Sequence, residues 1–252
     1  MLKTDTVMTN IRYIKPRLYG ALGYRPYWAF TYLLLDSFLR GPHGKNEFSP
    51  LNYYEFGTGK GGSLIEFLKA LNRLLKVNAY QNVALLTGIN IFLFDSFEGL
   101  PNPKSIKDNN KALSKGSFAN TENKIIKLVE DNIHDINPKP HILTFKGYYE
   151  DTLTNSLREN LKFFPPSFVN VDVDYYSSAI SVLNFLAPIC QNGTIFYFNN
   201  IYEYLGDLSK GEYLAISEFN HNNVGSYHLF PYRVFTISEY MNKVFAIHKL
   251  NQ

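Results

Sequence analysis

Short apolar runs recur along the chain, with longer amphipathic segments between them. The short runs are typical of buried strands and lie at Leu51–Phe56, Ile89–Phe94, Ile142–Phe145, Phe168–Val171 and Thr194–Phe198. The longer segments have apolar residues three and four positions apart, which predicts helices. The predicted helices are Tyr24–Arg40, Ser63–Val77, Glu122–Asn132, Thr152–Leu161, Ser177–Leu186 and Gly211–Asn220. Strands that alternate with helices in this way indicate βαβ units and a parallel sheet.

The last part of the chain departs from this alternation. Tyr232–Ile237 and Lys243–His248 are apolar segments with no helix between them, which predicts two antiparallel strands at one edge of the sheet. The predicted fold class is therefore α/β, a doubly wound and mostly parallel sheet with an antiparallel C-terminal hairpin strand. Since neither an internal repeat nor a second core is evident, we expect one domain over residues 1–252. It would comprise a helical, lid-like segment at 1–50 and an α/β core at 51–252.

Residues 99–118 have no clear period and are rich in Pro, Lys, Asn and Ser, which predicts a loop. This loop separates the strand Ile89–Phe94 from the helix Glu122–Asn132. A long loop between two regular segments is either a lid over a substrate or a solvated insertion, and the sequence leaves both open.

The composition excludes several classes of protein. Hydrophobic residues make up 45% of the chain and charged residues 19%, which is enough apolar surface for a folded core. The net charge of +3 is evenly spread and does not suggest a nucleic-acid partner. The single cysteine, Cys190, excludes a disulfide framework and a Cys-based zinc site. The apolar run Trp28–Leu35 is far shorter than the ~20 residues that span a bilayer, and Met1–Asn10 does not resemble a signal peptide. We therefore expect a cytoplasmic protein without a membrane partner.

A glycine-rich loop, Gly57–Gly62, lies between the first predicted strand and the helix that follows. Glycines let the backbone turn tightly and approach a ligand closely, and the free amides of the next helix favour an anion. The spacing also fits G-x-G-x-x-G, but a dinucleotide-binding fold requires an acid about 20 residues further on. No Asp or Glu lies between Arg73 and Gly88, and the first acid at a strand end is Asp95. This favours a different nucleoside ligand, held by Asp95.

At this point the chain resembles a known family. Glu55–Gly61 resembles the acid-x-G-x-G-x-G first motif of class I S-adenosylmethionine-dependent methyltransferases, and Phe94–Pro101 resembles the F-D-S/T-F-E-G-L-P run of the macrocin O-methyltransferase (TylF-like) family. Three further segments match that family in the same order, namely Gly116–Ala119, Lys146–Leu153 and Val171–Ser178. The resemblance covers residues 53–219 and implies a Rossmann-like methyltransferase sheet.

The resemblance implies S-adenosylmethionine as cofactor and a small-molecule hydroxyl as methyl acceptor, on a sugar or a glycosylated metabolite. The residues implied to bind the cofactor are Glu55, Gly57, Thr58, Gly59, Gly61, Ser63, Asp95, Ser96, Phe97, Gly147 and Tyr148. Asp95 would accept two hydrogen bonds from the ribose diol, and Gly147 and Tyr148 would lie near the adenine. Glu55 would orient the loop, and its carboxylate could sense the ammonium of the cofactor.

Asp172 and Asp174 lie at the end of the fourth predicted strand, separated by Val173. Residues two apart in a strand point to the same side, so the two carboxylates would share a small space. Two acids in such a space indicate a metal site or a perturbed pKa, because like charges resist joint ionisation. The carboxyl end of a strand is also where open α/β sheets bind ligands. Asp172 and Asp174 are therefore the candidate catalytic residues, one of them as the base for the acceptor hydroxyl.

The resemblance also implies a magnesium site, and here the chain departs from the family. In the TylF-like family the acid at the position of Asp172 joins an Asp-Asp pair after the next strand, but this chain has Asn199 and Asn200 there. Asn oxygens can ligate a hard cation, yet two negative charges are lost. We expect a weakened magnesium site of Asp172, Asn199 and Asn200, a metal-free site, or a protein without catalysis. The sequence does not decide among these.

Two alternatives to an active methyltransferase stay open. Asn199 and Asn200 suggest a cofactor-binding homologue without turnover. Asp172-Val173-Asp174 is a D-x-D sequence, which suggests a nucleotide-sugar glycosyltransferase, although that function leaves the glycine loop and Asp95 unexplained. The oligomeric state is open as well, and a homo-oligomer is one of the candidates.

Overall fold

The computed structural model of the chain describes residues 50–201, 203–204, 207–231 and 244–250. The predicted helix Tyr24–Arg40, the lid-like segment up to residue 49 and the predicted strand Tyr232–Ile237 lie outside these ranges. No helix within the described ranges is long and apolar enough to cross a membrane.

Strands and helices alternate through most of the described residues. The strands are β1 (Leu51–Phe56), β2 (Ile89–Asp95), β3 (His141–Lys146), β4 (Phe168–Val171), β5 (Ile195–Phe198), β6 (Tyr227–Pro231) and β7 (Val244–Lys249). The helices are α1 (Gly62–Leu75), α2 (Asn78–Thr87), α3 (Glu122–Ile133), α4 (Tyr149–Thr152), α5 (Asn155–Leu161), α6 (Tyr176–Leu186) and α7 (Gly211–Asn222). Two short 3-10 helices lie at Ile106–Asp108 and Ala187–Ile189.

The strands form one sheet in the order β3-β2-β1-β4-β5-β7-β6. Strands β1 to β5 are parallel, and β7 runs antiparallel to its neighbours β5 and β6. The predicted fold class, a mostly parallel sheet with an antiparallel C-terminal pair, is confirmed. The direction in which the chain adds strands reverses between β1 and β4, and open α/β sheets bind ligands at the carboxyl ends of the strands beside such a reversal.

Helices cover both faces of the central strands, which explains why those strands are apolar without alternation. All six residues of β1 are buried. On one face α1 and α3 pack against the sheet through residues such as Phe67 and Val129. On the other face α6 and α7 pack through residues such as Leu183 and Phe219. The core therefore has two layers, one on each side of the sheet.

A row of aromatic rings crosses the sheet close to the carboxyl ends of β1, β2 and β3. The Phe94 ring stacks on those of Phe56 and Phe145, with ring centroids 4.5 Å apart in both pairs. Phe185 of α6 meets the Phe94 ring edge-on, at 6.4 Å between centroids. These contacts fix the spacing of the three strands just before the loops that follow them.

Two helical regions of the structure differ from the prediction. The single helix predicted at Thr152–Leu161 is wrong, because the chain forms α4 and α5 with a break at Leu153. The Thr154 hydroxyl accepts a hydrogen bond from the Leu157 amide at 3.2 Å and so starts a new helix. Helix α2 was not predicted, since its Leu85 and Leu86 are 55% and 81% exposed and form no buried stripe.

The strand that pairs with β7 precedes the segment predicted at Tyr232–Ile237, which lies outside the described residues. Strand β6 ends at Pro231, before the predicted segment begins. Its apolar signal is weak because Leu229 is its single buried residue. Its position is set by Asn220 of α7, whose side chain accepts from the Leu229 amide at 2.8 Å and donates to the Leu229 carbonyl at 3.1 Å.

Replacement of Phe94 with alanine tests the aromatic row. Phe94 is fully buried, and the loss of such a ring lowers the free energy of unfolding by about 3–5 kcal/mol. Phe163→Ala is the matched control, because Phe163 is 73% exposed and its truncation should change that free energy by less than about 0.5 kcal/mol. Urea unfolding followed by circular dichroism measures both. Equal losses in the two variants would contradict the core position of Phe94.

Candidate functional site

A cavity of about 730 Å³ opens at the carboxyl ends of the parallel strands. Residues at the end of each of β1 to β5, or just after it, contribute to its wall, namely Gly57, Asp95, Gly147, Asp172 and Asn199. Most of the site residues predicted from the sequence line this cavity. Glu55, Gly61 and Phe97 are not part of its wall. The structure therefore brings the glycine loop, Asp95, Gly147-Tyr148, the aspartate pair and both asparagines to one place.

At Gly57 the backbone of the glycine loop lies very close to the backbone just after β4. Its φ is +81°, and a Cβ added there would lie 1.9 Å from the carbonyl oxygen of Asp172. The Gly57 amide donates to the Phe94 carbonyl at 2.9 Å. The turn after β1 therefore fits between its two neighbouring strands only because residue 57 has no side chain.

The Asp95 carboxylate is held by two backbone amides. Its Oδ2 accepts from the Gly59 amide at 2.9 Å and its Oδ1 accepts from the Phe97 amide at 2.7 Å. Each carboxylate oxygen can accept a second hydrogen bond. Asp95 thus fixes the glycine loop and presents both oxygens at the end of β2. The Phe97 side chain belongs to the core instead, being 6% exposed.

Glu55 lies beneath the glycine loop and is fully buried. It accepts hydrogen bonds from the Tyr53 hydroxyl at 2.7 Å and from the Ser63 hydroxyl at 2.5 Å. Burial raises the pKa of Glu55 to about 8, with Asp172 and Asp95 adding to the rise while the two hydroxyls oppose it. Glu55 therefore joins β1 to the first turn of α1.

Gly147 and Tyr148 directly follow β3, next to the end of β2. The Gly147 amide donates to the Asp95 carbonyl at 3.0 Å, which keeps this turn in register with the end of β2. Ser96 turns back on the chain, since its hydroxyl donates to the Gly99 carbonyl at 2.9 Å. Tyr148 and Ser96 are part of the cavity wall.

Asp174 has the features of a reactive group. It is 8% exposed, lines the cavity and has a left-handed φ of +59°, which is rare for a residue with a side chain. Burial, together with the nearby charges of Asp172 and Glu203, raises the pKa of the Asp174 carboxyl to about 7. The Tyr204 hydroxyl donates to the Asp174 carbonyl at 3.3 Å and holds this backbone in place.

The side chain of Asn200 is hydrogen-bonded directly to that of Asp172. Its Nδ2 donates to Asp172 Oδ1 at 2.7 Å. Its backbone amide donates to Glu212 Oε2 at 2.9 Å, and Glu212 Oε1 accepts from the Val173 amide at 3.4 Å. Burial, followed by the charge of Asp172, raises the pKa of Glu212 well above its ordinary value. Asn199 accepts from the Tyr197 hydroxyl at 3.4 Å.

The sequence model of the macrocin O-methyltransferase (TylF) family matches residues 46–222. The chain belongs to this family. It is therefore an O-methyltransferase, and the resemblance noted in its motifs is confirmed. A comparison with curated proteins found no match.

Solved structures of methyltransferases share the fold. The O-methyltransferase NovP is similar with a TM-score of 0.56 and 17% sequence identity, over 88% of this chain and 80% of NovP. The calicheamicin methyltransferase CalS11 is similar with a TM-score of 0.59 and 18% identity, over 99% of this chain and 92% of CalS11. At these identities the likeness concerns the fold, and it agrees with the strand order of the sheet.

The magnesium site predicted at Asp172, Asn199 and Asn200 does not fit the donors that this TylF-family chain presents. The Asn200 atom that faces Asp172 is an amide nitrogen, which donates a hydrogen bond and does not ligate a cation. Within the described ranges, no group of three His, Cys, Asp or Glu side chains is arranged to hold a metal ion.

The loop at 99–118 is connected to helices α6 and α7 by a hydrogen bond and an ion pair. Asp108 is fully buried, and its Oδ1 accepts from the Ser177 amide in the first turn of α6 at 2.8 Å. Its Oδ2 accepts from the Lys104 amide at 3.0 Å, and Lys107 pairs with Glu218 of α7 at 2.7 Å. The loop supplies part of the cavity wall, although most of its side chains are exposed, so a lid and a solvated insertion both stay open.

Sequence analysis missed several residues of the cavity wall. Some lie inside the family motifs without having been given a role, namely Phe118, Tyr149, Ser177 and Ser178. Others lie outside the motifs, namely Lys104, Ser181 and Glu203. The signal that could have found Ser181 is its position four residues after Ser177, which puts both on one face of α6.

Gly57→Ala tests the close approach after β1, with Gly193→Ala as the matched control. Gly193 also has a positive φ, +86°, but a Cβ there would meet nothing within 4 Å. The control should lose about 1–2 kcal/mol of unfolding free energy from the left-handed backbone alone. Gly57→Ala should lose more, because the added carbon also collides with the Asp172 carbonyl. Urea unfolding measures both, and similar losses would count against a steric role for Gly57.

Proposed function

We propose that this chain is an S-adenosylmethionine-dependent O-methyltransferase that methylates a hydroxyl of a sugar or a glycosylated metabolite. The single observation that most supports this is that one cavity joins the glycine loop and Asp95 to Asp174. The first two are suited to hold the cofactor, and the third is suited to take the proton of the acceptor hydroxyl.

The cofactor residues fit the chemistry of S-adenosylmethionine. The first turn of α1 has no acidic residue and no side-chain cap, so its amides are available to the methionine carboxylate. Asp95 would accept from the ribose hydroxyls with its two remaining acceptor positions. The Thr58 hydroxyl is buried in the loop without a hydrogen-bond partner, and a ligand atom in the cavity would satisfy it. The bound cofactor supplies a methyl group already activated on a sulfonium sulfur.

Asp174 is proposed as the general base. A base must be largely deprotonated at working pH yet still attract a proton, and a pKa of about 7 meets both needs. Its carboxyl accepts the proton as the acceptor oxygen gains the methyl group, and the electron pair of the broken C–S bond stays on sulfur. The protein's further contribution is to align the acceptor with the methyl group.

The acceptor end of the cavity is rich in polar groups, which suits a molecule with several hydroxyls. Ser177, Ser178 and Ser181 of α6 line this side together with Glu203. Lys104 and Glu150 also line the cavity and form an ion pair with each other. The serine hydroxyls can both donate to and accept from a sugar, and the carboxylates can accept from its hydroxyl groups.

The other expectations from sequence stay proposals. These are a single domain over residues 1–252, a homo-oligomer and a cytoplasmic location. A non-catalytic homologue is the outcome to expect if the cofactor binds but no hydroxyl acceptor is methylated. Membership in the O-methyltransferase family disfavours the D-x-D glycosyltransferase.

Binding of S-adenosylhomocysteine tests the cofactor site. Isothermal calorimetry should show binding by the wild type and a loss of about 10- to 100-fold in affinity for Asp95→Asn, as expected for one hydrogen bond to a charged group. Asp131→Asn, at an exposed position of α3, should bind as the wild type does. Heat with UDP-glucose and none with S-adenosylhomocysteine would favour the glycosyltransferase instead.

The pH dependence tests Asp174. Since the base acts when deprotonated, the methylation rate should rise with pH up to about 7 and level off above it. Asp174→Asn should lose this rise and at least ~100-fold of the rate while still binding S-adenosylhomocysteine. Release of S-adenosylhomocysteine with a panel of nucleotide sugars measures the rate, and Asp131→Asn is again the control.

The pH dependence of the protein's stability gives a second measure of the Asp174 pKa. Its folded pKa of about 7 exceeds the unfolded value of about 4, so the folded state binds more protons between those values and loses stability as pH rises through 7. Asp174→Asn lacks this loss, so its melting temperature should exceed that of the wild type increasingly from pH 5 to pH 8. A constant difference would contradict the raised pKa.

A further inference from the structure

Three side chains meet where β4 and β5 end. Asn200 donates its side-chain N–H to Asp172 at 2.7 Å, and its backbone N–H to Glu212 at 2.9 Å. The other oxygen of Glu212 accepts from the Val173 amide at 3.4 Å. Glu212 is fully buried and links the residues that follow β4 and β5 on the side away from the cavity. Asp172 and Asn200 form part of the cavity wall.

This arrangement gives Asp172 a hydrogen-bond donor where a metal site would give it a cation. Magnesium takes oxygen ligands, and the group of Asn200 that faces Asp172 is an N–H. The side-chain oxygen of Asn199 accepts from the Tyr197 hydroxyl at 3.4 Å. The Asn199 oxygen and the Asp172 oxygen that faces Asn200 are thus each engaged in a hydrogen bond within the protein.

Charge leads to the same conclusion. A cation held by Asp172, Asn199 and Asn200 would meet one formal negative charge, whereas aspartates at both asparagine positions would raise that number to three. The affinity of a hard divalent ion depends strongly on the charge of its ligands. Glu212 does not supply the missing charge at the cavity, because both of its oxygens accept from backbone amides behind the wall.

We propose that this chain transfers the methyl group without a divalent cation, and that Asn200 is a positioning residue that fixes Asp172 through its amide N–H. The inference rests on the proposed function, because it concerns the acceptor side of the same cavity. Asp172 then orients the acceptor by hydrogen bonds alone, beside Asp174. The reaction needs no further reactant, since the acceptor oxygen gains the methyl group, sulfur keeps the electron pair of the C–S bond and the proton goes to Asp174.

Manganese binding tests this inference without knowledge of the acceptor. The electron paramagnetic resonance signal of free Mn²⁺ reports binding to the protein saturated with S-adenosylhomocysteine. The wild type should leave the signal unchanged at millimolar Mn²⁺, and Asn199→Asp/Asn200→Asp should bind at least about tenfold more tightly. Asn82→Asp, an exposed position on α2, is the matched control and should behave as the wild type does.

Two results of this titration would overturn the inference. One is stoichiometric Mn²⁺ binding by the wild type. The other is a folded double variant that does not bind Mn²⁺, which would mean that the asparagines are not what excludes the cation. Circular dichroism checks folding, and Asn199→Asp is the second variant, because it leaves the Asn200–Asp172 hydrogen bond in place. It should bind Mn²⁺ more tightly than the wild type and less tightly than the double variant.

Turnover gives an independent readout. With an acceptor found in the nucleotide-sugar panel, the wild type should methylate at the same rate after EDTA treatment and with added Mg²⁺. The double variant should become dependent on Mg²⁺, which a purely structural role of these asparagines would not produce. Loss of wild-type activity in EDTA with recovery in Mg²⁺ would overturn the inference. Failure of the wild type to bind S-adenosylhomocysteine would instead contradict the proposed function, so the two failures are distinguishable.

Discussion

The site depends on the hydrogen bonds of the sheet continuing for one residue beyond four of its five parallel strands, β1, β3, β4 and β5. The bonds that do this are Gly57 to Phe94 at 2.9 Å, Gly147 to Asp95 at 3.0 Å, Asp172 to Phe56 at 2.9 Å and Asn199 to Val171 at 2.8 Å, amide to carbonyl. The first residue of each loop is therefore fixed in the register of the sheet. The candidate functional residues lie in or next to these loops, so their mutual positions follow from strand pairing and not from the loops themselves.

The same edge of the sheet concentrates buried acids. Burial raises the pKa of Glu55 to about 8 and that of Asp174 to about 7, and it raises the pKa of Glu212 as well. A carboxylate that has lost its water needs donors nearby, and Glu55 and Glu212 find them in hydroxyls and backbone amides. Such groups destabilise the folded state at neutral pH, which is a cost typical of functional sites.

Much of the candidate site was predictable because its signals are local. A glycine run after an apolar strand, an acid at the end of the next strand and the pair Asp172 and Asp174 are each visible within a few residues. Asp108 was not predictable, because it lies in a polar loop and its partner Ser177 is 69 residues away. Nor was Glu212, which is 39 residues from Val173. A buried acid in a polar segment has the same sequence signature as an exposed one.

The sequence by itself determined which segments become the five parallel strands, that the sheet is mostly parallel and which chemical groups stand at the ends of those strands. These properties depend on local periodicity and on backbone freedom at a few glycines. Only the tertiary structure decided that Glu55 and Phe97 turn away from the cavity, that Asp174 is buried enough to titrate near neutrality, and that the nitrogen of Asn200 faces Asp172. Burial, pKa and donor direction depend on how segments distant along the chain pack together, and that packing is absent from any local pattern.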